Sequence, residues 1–124
     1  MTTYFVFGSN LAGRHGAGAA LEARQKWGAI YGCGEGLQGY SYGIPTKDHQ
    51  IQTRSLIDIK ISVIAFIEFA REMLDVDPTM EFLVTRIGCG LAGYKDHQIG
   101  PMFATAPKNC TLPTNWEQYR KGAP

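Results

Sequence analysis

The sequence predicts an α/β fold with a largely parallel sheet and helices on both faces, and three observations lead to this prediction. Short β-branched and aromatic runs alternate with helical patterns along the chain. Polar and glycine-rich segments follow directly after strand-like runs, where α/β sheets bind their ligands. The chain has 124 residues, enough for one hydrophobic core but too few for a second substrate domain, so residues 1–124 form one predicted domain.

The chain begins with the pattern of a strand, a turn and a helix. The first predicted strand covers residues 3–7, a β-branched and aromatic run. A helix is predicted over 16–27, because Ala20, Ala23 and Trp27 recur at helical spacing with polar residues between them.

The next segment is rich in glycine. Residues 29–31 are either a short strand or an extended connection, and residues 32–39 have the composition of turns. A strand is predicted over 40–44, and Pro45 is expected to end it because proline has no N–H to donate to a ladder. Residues 46–49 then form a polar loop.

A long helix, expected to be largely buried, is predicted over 54–74. A strand over 81–87, a short helix near 97–103 and a strand near 109–112 follow, and the tail 116–124 is either a terminal helix or a frayed end. The apolar positions of the long helix are Leu56, Ile59, Val63, Phe66, Ala70 and Met73, widened by Ile57, Ile61, Ile64 and Leu74.

Charge and composition exclude several classes of protein. Twelve Lys and Arg balance eleven Asp and Glu, so no strong field for non-specific nucleic-acid binding exists. No apolar stretch reaches about 18 residues and no signal segment is recognisable, so we expect a cytoplasmic protein without a membrane partner. Cys33, Cys89 and Cys110 show neither disulfide nor zinc spacing, and no metal or cofactor is expected.

Two glycine-rich turns, 13–18 and 88–93, each follow a strand-like run. Glycine lets backbone N–H groups approach an anion, and a helix that begins at such a turn adds unpaired donors and the positive end of its dipole. Two such turns can hold one phosphorylated ligand between them. The sequence therefore predicts a nucleotide-like ligand.

The common nucleotide motifs do not explain these turns. The glycines at 88, 90 and 93 formally match a dinucleotide fingerprint, but about 30 residues remain after it and no acidic residue ends a following strand. A phosphate-loop lysine is also missing. A Cys–His hydrolase would pair Cys89 with His15, His49 or His97, although a small residue between two close turns is the simpler interpretation.

Two polar residues near predicted strand ends have alternative interpretations. Asn10 could bind a ribose or make a turn with its own backbone. Lys47 could be a solvated loop charge, a phosphate contact or a nucleophile, and a nucleophilic lysine needs desolvation or neighbouring cations.

Taken together, three segments resemble the macrodomain family. Within that family they resemble the branch of the terminal ADP-ribose protein glycohydrolase and the bacterial DNA ADP-ribosyl glycohydrolase antitoxins. The segments are 9–20, similar to the asparagine-containing ligand loop and glycine turn; 44–49, similar to a Phe-Pro-Thr-Lys-x-His segment; and 86–91, similar to a Gly-Cys-Gly-Leu phosphate loop. The resemblance covers about residues 5–106.

The resemblance implies a mixed, largely parallel macrodomain-like sheet and an ADP-ribose pocket. It also implies hydrolysis of an ADP-ribosyl linkage on a protein or nucleic acid, with Lys47 attacking the anomeric carbon of the attached ribose. The implied ligand contacts are Ser9, Asn10, Gly13, His15, Gly16, Ala17, Gly18, Thr46, Gly88, Cys89, Gly90, Leu91, Ala92 and Gly93.

One departure keeps other functions open. The glycohydrolase that acts on protein has an aspartate after its glycine loop where this chain has Ala92, and Asp48 or Asp96 could replace it. Without that carboxylate, the chain could instead be a non-catalytic binder or sponge of ADP-ribose or a related cyclic nucleotide. A nucleotide phosphatase on the same scaffold is a third possibility. Compared with that family, the chain lacks the first macrodomain strand, and the resemblance therefore predicts four or five strands.

Overall fold

A computed structural model of the chain describes residues 1–121 and contains five strands, three α-helices and two short 3₁₀ helices. The strands and helices in chain order are β1 Thr2–Asn10, α1 Gly18–Lys26, β2 Gly36–Gln38, β3 Ser41–Lys47, α2 Leu56–Val76, β4 Met80–Val84, α3 Asp96–Ile99 and β5 Cys110–Thr111. The 3₁₀ helices are Gly100–Phe103 and Thr114–Tyr119.

The five strands form one sheet in the order β2-β3-β1-β4-β5. The pairs β1–β3, β1–β4 and β4–β5 are parallel, and only β2 runs antiparallel to its neighbour β3. The predicted α/β fold with a largely parallel sheet is confirmed. Because β1, β3 and β4 are parallel neighbours, their carboxyl ends meet at one edge of the sheet.

Helices cover both faces of the sheet, as predicted. Side chains alternate along β1: Phe5 and Phe7 pack in one buried cluster with Ala23 of α1, whereas Val6 packs in the other cluster with Phe66 of α2. Burial on both faces explains why β1 is a nearly continuous apolar run.

Proline at position 45 does not end the third strand, so that prediction is wrong. Pro45 lies inside β3 and pairs with Ser9 of β1. The antiparallel partner β2 pairs with β3 only as far as Gly43, so at Pro45 the strand β3 has β1 as its one neighbour in the sheet. The missing N–H of Pro45 therefore interrupts no hydrogen bonds to a second strand. A register shift between Ser9 and Asn10 accompanies this pairing.

Two further predictions differ from the structure. The glycine-rich segment predicted as turns contains the strand β2, whereas for residues 29–31 the structure agrees with the second of the two alternatives, a connection without a strand. The long helix is not buried all round: Ile57, Ile61 and Ile64 are 74%, 61% and 43% exposed. These three residues widen the apolar stripe on the sequence, but they face away from the sheet.

The described part of the tail forms a 3₁₀ helix, and its Trp116 is fully buried. Residues 122–124 of the predicted tail lie outside the described residues. Within residues 1–121, the helices are all too short or too polar to cross a bilayer.

Candidate functional site

A cleft of about 620 Å³ lies at the carboxyl ends of β1, β3 and β4, in front of the first turn of α1. Its volume falls in the usual range for small-molecule sites. The three segments singled out on the sequence all contribute to it. The lining consists of Gly8, Ser9, Asn10, Arg14, Gly16, Ala17, Gly18, Ala19, Ala20, Thr46, Lys47, Ile51, Thr85, Arg86, Ile87, Gly88, Gly90, Leu91 and Ala92.

The second glycine turn presents free backbone amides to the cleft. Within residues 1–121, the N–H groups of positions 88 and 90–92 donate to no protein acceptor, and these four residues line the cleft. Cys89 and Gly93 do not line it, and their amides are used inside the turn: Cys89 N donates to Arg86 O at 3.2 Å, and Gly93 N donates to Gly90 O at 3.0 Å. The lining amides of this turn are therefore the unpaired ones.

The first glycine turn presents a similar row, over residues 16–20. The first backbone donor of helix α1 is Leu21 N, which bonds Ala17 O at 3.2 Å, so the preceding amides have no intrahelical acceptor. Ala17 is the N-cap and has no side-chain oxygen to bond them, and the first turn contains no acidic residue. Donors and the positive end of the helix dipole therefore face the cleft.

Gly13 and His15, predicted as ligand contacts, are outside the lining. Gly13 has φ +71°, and a Cβ there would overlap the backbone of Gly32, whose N–H donates to Gly13 O at 2.8 Å. His15 is fully buried, with Nε2 3.0 Å from Cys33 O and 3.2 Å from Gln38 Oε1. These residues fasten the first turn to residues 32–38.

Asn10 lines the cleft, but its amide is engaged within its own loop. Its Nδ2 donates to Arg14 O at 2.9 Å, and its Oδ1 accepts from Arg14 N at 2.9 Å. The structure shows the bonds of the local interpretation of Asn10, in which the side chain closes the loop, and the ribose contact stays a prediction. Ser9 also lines the cleft, and its hydroxyl donates to Gly34 O.

Lys47 lies at the end of β3 and is half-buried in the cleft wall. Its carbonyl accepts from Leu11 N at 2.9 Å, and it faces Thr53 across an isolated antiparallel bridge. Within residues 1–121 its amine forms no ion pair. The neighbouring Thr46 lines the same wall and donates to Ser9 O at 3.4 Å.

The charged side chains in the lining are all basic: Arg14, Lys47 and Arg86. Arg86 forms an ion pair with Asp96, a residue outside the lining, and the distance between Arg86 Nη2 and Asp96 Oδ2 is 2.8 Å. Asp96 also accepts from Trp116 Nε1 at 2.7 Å. The bonds from Arg86 and Trp116 lower the pKa of Asp96 to about 2.

Neither aspartate expected to replace the missing carboxylate lines the cleft. Asp96 is held by Arg86 and Trp116. Asp48 accepts from the backbone N–H groups of Gln50 and Gln52, each at 2.9 Å, and so fixes the turn after Lys47.

The thiol of Cys89 is poorly suited to nucleophilic catalysis. Burial, followed by the nearby charge of Asp96, raises its pKa to about 11, so the reactive thiolate is disfavoured. One proposed base, His15, is enclosed behind the first turn. This geometry does not support a Cys–His hydrolase.

Sequence reasoning did not select Arg14, Ile51 or Arg86 as site residues, although all three line the cleft. The two arginines lie in or beside the glycine turns, so a basic residue at a phosphate loop was an available signal. Ile51 gave no signal, because its position depends on the turn that Asp48 stabilises. Among residues 1–121, no group of His, Cys, Asp and Glu is arranged to hold a metal.

The chain matches no protein-family model, and neither a curated protein nor a solved structure is significantly similar to it.

Proposed function

We propose that this chain is a macrodomain-like protein that binds ADP-ribose in the cleft and hydrolyses an ADP-ribosyl linkage on a protein or nucleic acid through Lys47. One observation carries the proposal: two rows of backbone amides, at 16–20 and at 88 and 90–92, are unpaired within residues 1–121 and face the same cleft, whose charged side chains are all basic. Such a surface suits a diphosphate better than a neutral ligand.

We propose an orientation for the ligand that uses both rows of amides. A diphosphate held between them accepts main-chain hydrogen bonds from both turns, which need no specific side chain. Lys47 lies on the neighbouring strand β3, beside Asn10 at the end of β1. The distal ribose therefore extends from the diphosphate toward Lys47.

The proposed reaction has two balanced steps. In the first, the neutral amine of Lys47 bonds to the anomeric carbon, and the bond from that carbon to the modified partner breaks. The partner leaves with the bonding electrons and takes the proton that the amine loses. In the second, water adds to the same carbon, the lysine–carbon bond breaks, and ADP-ribose and the unchanged lysine are formed.

Turnover of an ADP-ribosylated oligonucleotide and an ADP-ribosylated peptide tests this role. Lys47→Ala is expected to lower turnover at least about 1,000-fold, because the attacking atom is lost. Lys60→Ala is the matched control, since Lys60 is exposed on α2 outside the cleft. Equal turnover by wild type and Lys47→Ala contradicts the nucleophile assignment.

A second function, a non-catalytic binder or sponge of ADP-ribose or a related cyclic nucleotide, is favoured by one observation. No described acidic residue lines the cleft, so no carboxylate there is placed to activate water. Calorimetry followed by product analysis separates the two functions. Tight binding with intact ADP-ribosylated ligand recovered supports the binder, and released ADP-ribose supports the hydrolase.

We place this function in the cytoplasm. The cysteines of the described residues, Cys33, Cys89 and Cys110, are all free, which suits a reducing compartment. Alkylation of intact cells before lysis, followed by mass spectrometry, measures their redox state, and a disulfide between any two would contradict this placement.

A further inference from the structure

The end of β3 that carries Lys47 has no strand of the sheet on its outer side. The antiparallel partner β2 does not reach this end, so β1 is its one neighbour in the sheet. Residues 52–54 return along the open side. Thr53 faces Lys47 in an isolated antiparallel bridge. Arg54 N donates to Thr46 O at 2.9 Å, so the chain itself covers the strand edge beside the proposed nucleophile.

The side chain of Arg54 binds the same end of β3. Its Nη1 donates to Pro45 O at 2.8 Å and to the hydroxyl of Ser62 on α2 at 3.0 Å. Arg54 is half-buried, and within residues 1–121 it forms no ion pair. Withdrawing a cation from water without a carboxylate partner costs free energy. Arg54 bears that cost where it ties the segment before Lys47 to α2.

Arg54 is also connected to the second glycine turn. The hydroxyl of Tyr94 donates to Arg54 O at 2.7 Å, and Tyr94 N donates to Gly88 O at 2.8 Å. A second bond joins the same two segments, from Thr53 Oγ1 to Ala92 O at 3.1 Å. Residues 53 and 54 therefore contact the end of β3 on one side and the turn with the open amides on the other.

We propose that Arg54 is a positioning residue, which holds Lys47 in register with the second glycine turn so that the amine meets the anomeric carbon of bound ADP-ribose. This inference rests on the proposed function, because it requires Lys47 to be the nucleophile. Arg54 does not line the cleft, so it acts on the geometry of Lys47 without touching the ligand. A displacement of about 1 Å between reacting groups can lower a rate about 100-fold.

The hydrogen bonds indicate which substitutions preserve the position of Lys47. Both side-chain bonds of Arg54 come from the single nitrogen Nη1, so the planar fork of arginine is not required. Arg54→Lys supplies an ammonium group with three donors on a long stem and is expected to keep the bond to Pro45 O. Arg54→Ala removes that bond. Tyr94→Phe removes the hydroxyl that binds Arg54 O and retains the ring.

Steady-state turnover of the ADP-ribosylated oligonucleotide and peptide, together with calorimetry of free ADP-ribose, tests this role. Arg54→Ala is expected to lower kcat about 30- to 100-fold, while KM and the Kd of ADP-ribose stay within about 3-fold. Arg54→Lys is expected to keep kcat within about 5-fold of wild type, and Tyr94→Phe to lower it about 10-fold. Thermal melts identify an assay temperature at which each variant is folded.

Arg71→Ala is the matched control. Arg71 Nη2 also donates to a main-chain carbonyl, Thr105 O at 2.8 Å, but Arg71 lies on an exposed part of α2 outside the cleft. The control removes the same kind of bond and is expected to keep kcat within about 2-fold of wild type. A loss of kcat confined to the Arg54 and Tyr94 variants separates positioning from general destabilisation.

Four outcomes overturn the inference. The first is a wild-type kcat in Arg54→Ala and Tyr94→Phe, or in Tyr94→Phe alone where Arg54→Ala does not fold. The second is a joint fall of kcat and ADP-ribose affinity, or an equal fall of kcat in Arg71→Ala, which would show a merely structural role. The third is an Arg54→Lys variant as slow as Arg54→Ala. The fourth is a wild type that turns over neither substrate: the proposed function then fails as well, whereas the first three outcomes leave wild-type turnover intact.

Discussion

The two glycine-rich turns have similar sequences but use their residues differently. In the first turn the roles are separated along the chain: Gly13 packs against Gly32, and the open amides come later, over 16–20. In the second turn the two kinds of residue alternate. The amides of Cys89 and Gly93 donate to nearby carbonyl groups, whereas within residues 1–121 the amides of positions 88 and 90–92 have no acceptor. Glycine thus serves two purposes, close backbone packing and exposure of donors.

The largest expected effect is the difference in stability between substitutions of Gly13 and Gly16 in the first turn. Gly13→Ala places a Cβ onto the Gly32 backbone at φ +71°, and we expect it to lower the free energy of unfolding by at least about 3 kcal/mol. Gly16→Ala adds a methyl group with no atom within 4 Å, so we expect a change below about 1 kcal/mol. Urea denaturation measures both, and equal losses would show that the two glycines are not divided in this way.

A smaller effect is expected in the second turn. Gly88 has φ +76°, and an added Cβ would lie 3.1 Å from Cδ1 of the buried Ile99, which would have to shift by a few tenths of an ångström, so Gly88→Ala is expected to cost about 1–2 kcal/mol. Gly90→Ala meets no atom within 4 Å and is expected to preserve stability while weakening ADP-ribose binding, since its methyl group enters the cleft. Urea denaturation and calorimetry test the pair. A stable Gly90→Ala variant with unchanged affinity would argue that this turn does not approach the ligand.

The smallest expected effect is a pH dependence of stability that comes from Asp96, which pairs with Arg86 beside the second turn. The pKa of Asp96 is lowered from 3.8 to about 2, so its stabilising contribution is complete above pH 3.8 and is lost as the pH falls toward 2. The Tm difference between wild type and Asp96→Asn is therefore expected to be constant near neutral pH and to shrink below pH 4. Thermal melts from pH 7 to about pH 2 measure it. A difference that stays constant to the lowest pH would contradict the role of the charged pair with Arg86.

The sequence was sufficient for the main features of the fold. The apolar run of β1, the long apolar pattern of α2 and the glycines after β1 and β4 are local signals, and they correctly predicted a largely parallel sheet with the cleft at its carboxyl edge. Local rules failed at Pro45, because the reach of β2 decides whether a proline is tolerated in β3. The exposure of Ile57 and Ile61 likewise depends on which side of α2 meets the sheet.

The details of the site depended on contacts between distant parts of the chain. Gly13 has the same local signal as Gly16, and only the approach of Gly32 distinguishes them. The carboxylate of Asp96 is occupied by Trp116, which is 20 residues away, so its unavailability to the cleft could not be predicted. On the sequence the amide of Asn10 could bond the ligand or the loop, and the loop bonds became evident only from the position of Arg14.

A crystal structure of the wild-type chain with ADP-ribose tests the central claim most directly. We predict diphosphate oxygens within about 3 Å of backbone nitrogens from both 16–20 and 88–92, with the anomeric carbon of the distal ribose nearest to Lys47 Nζ. A diphosphate that touches only one of the two turns, or a distal ribose that points away from Lys47, would contradict the account.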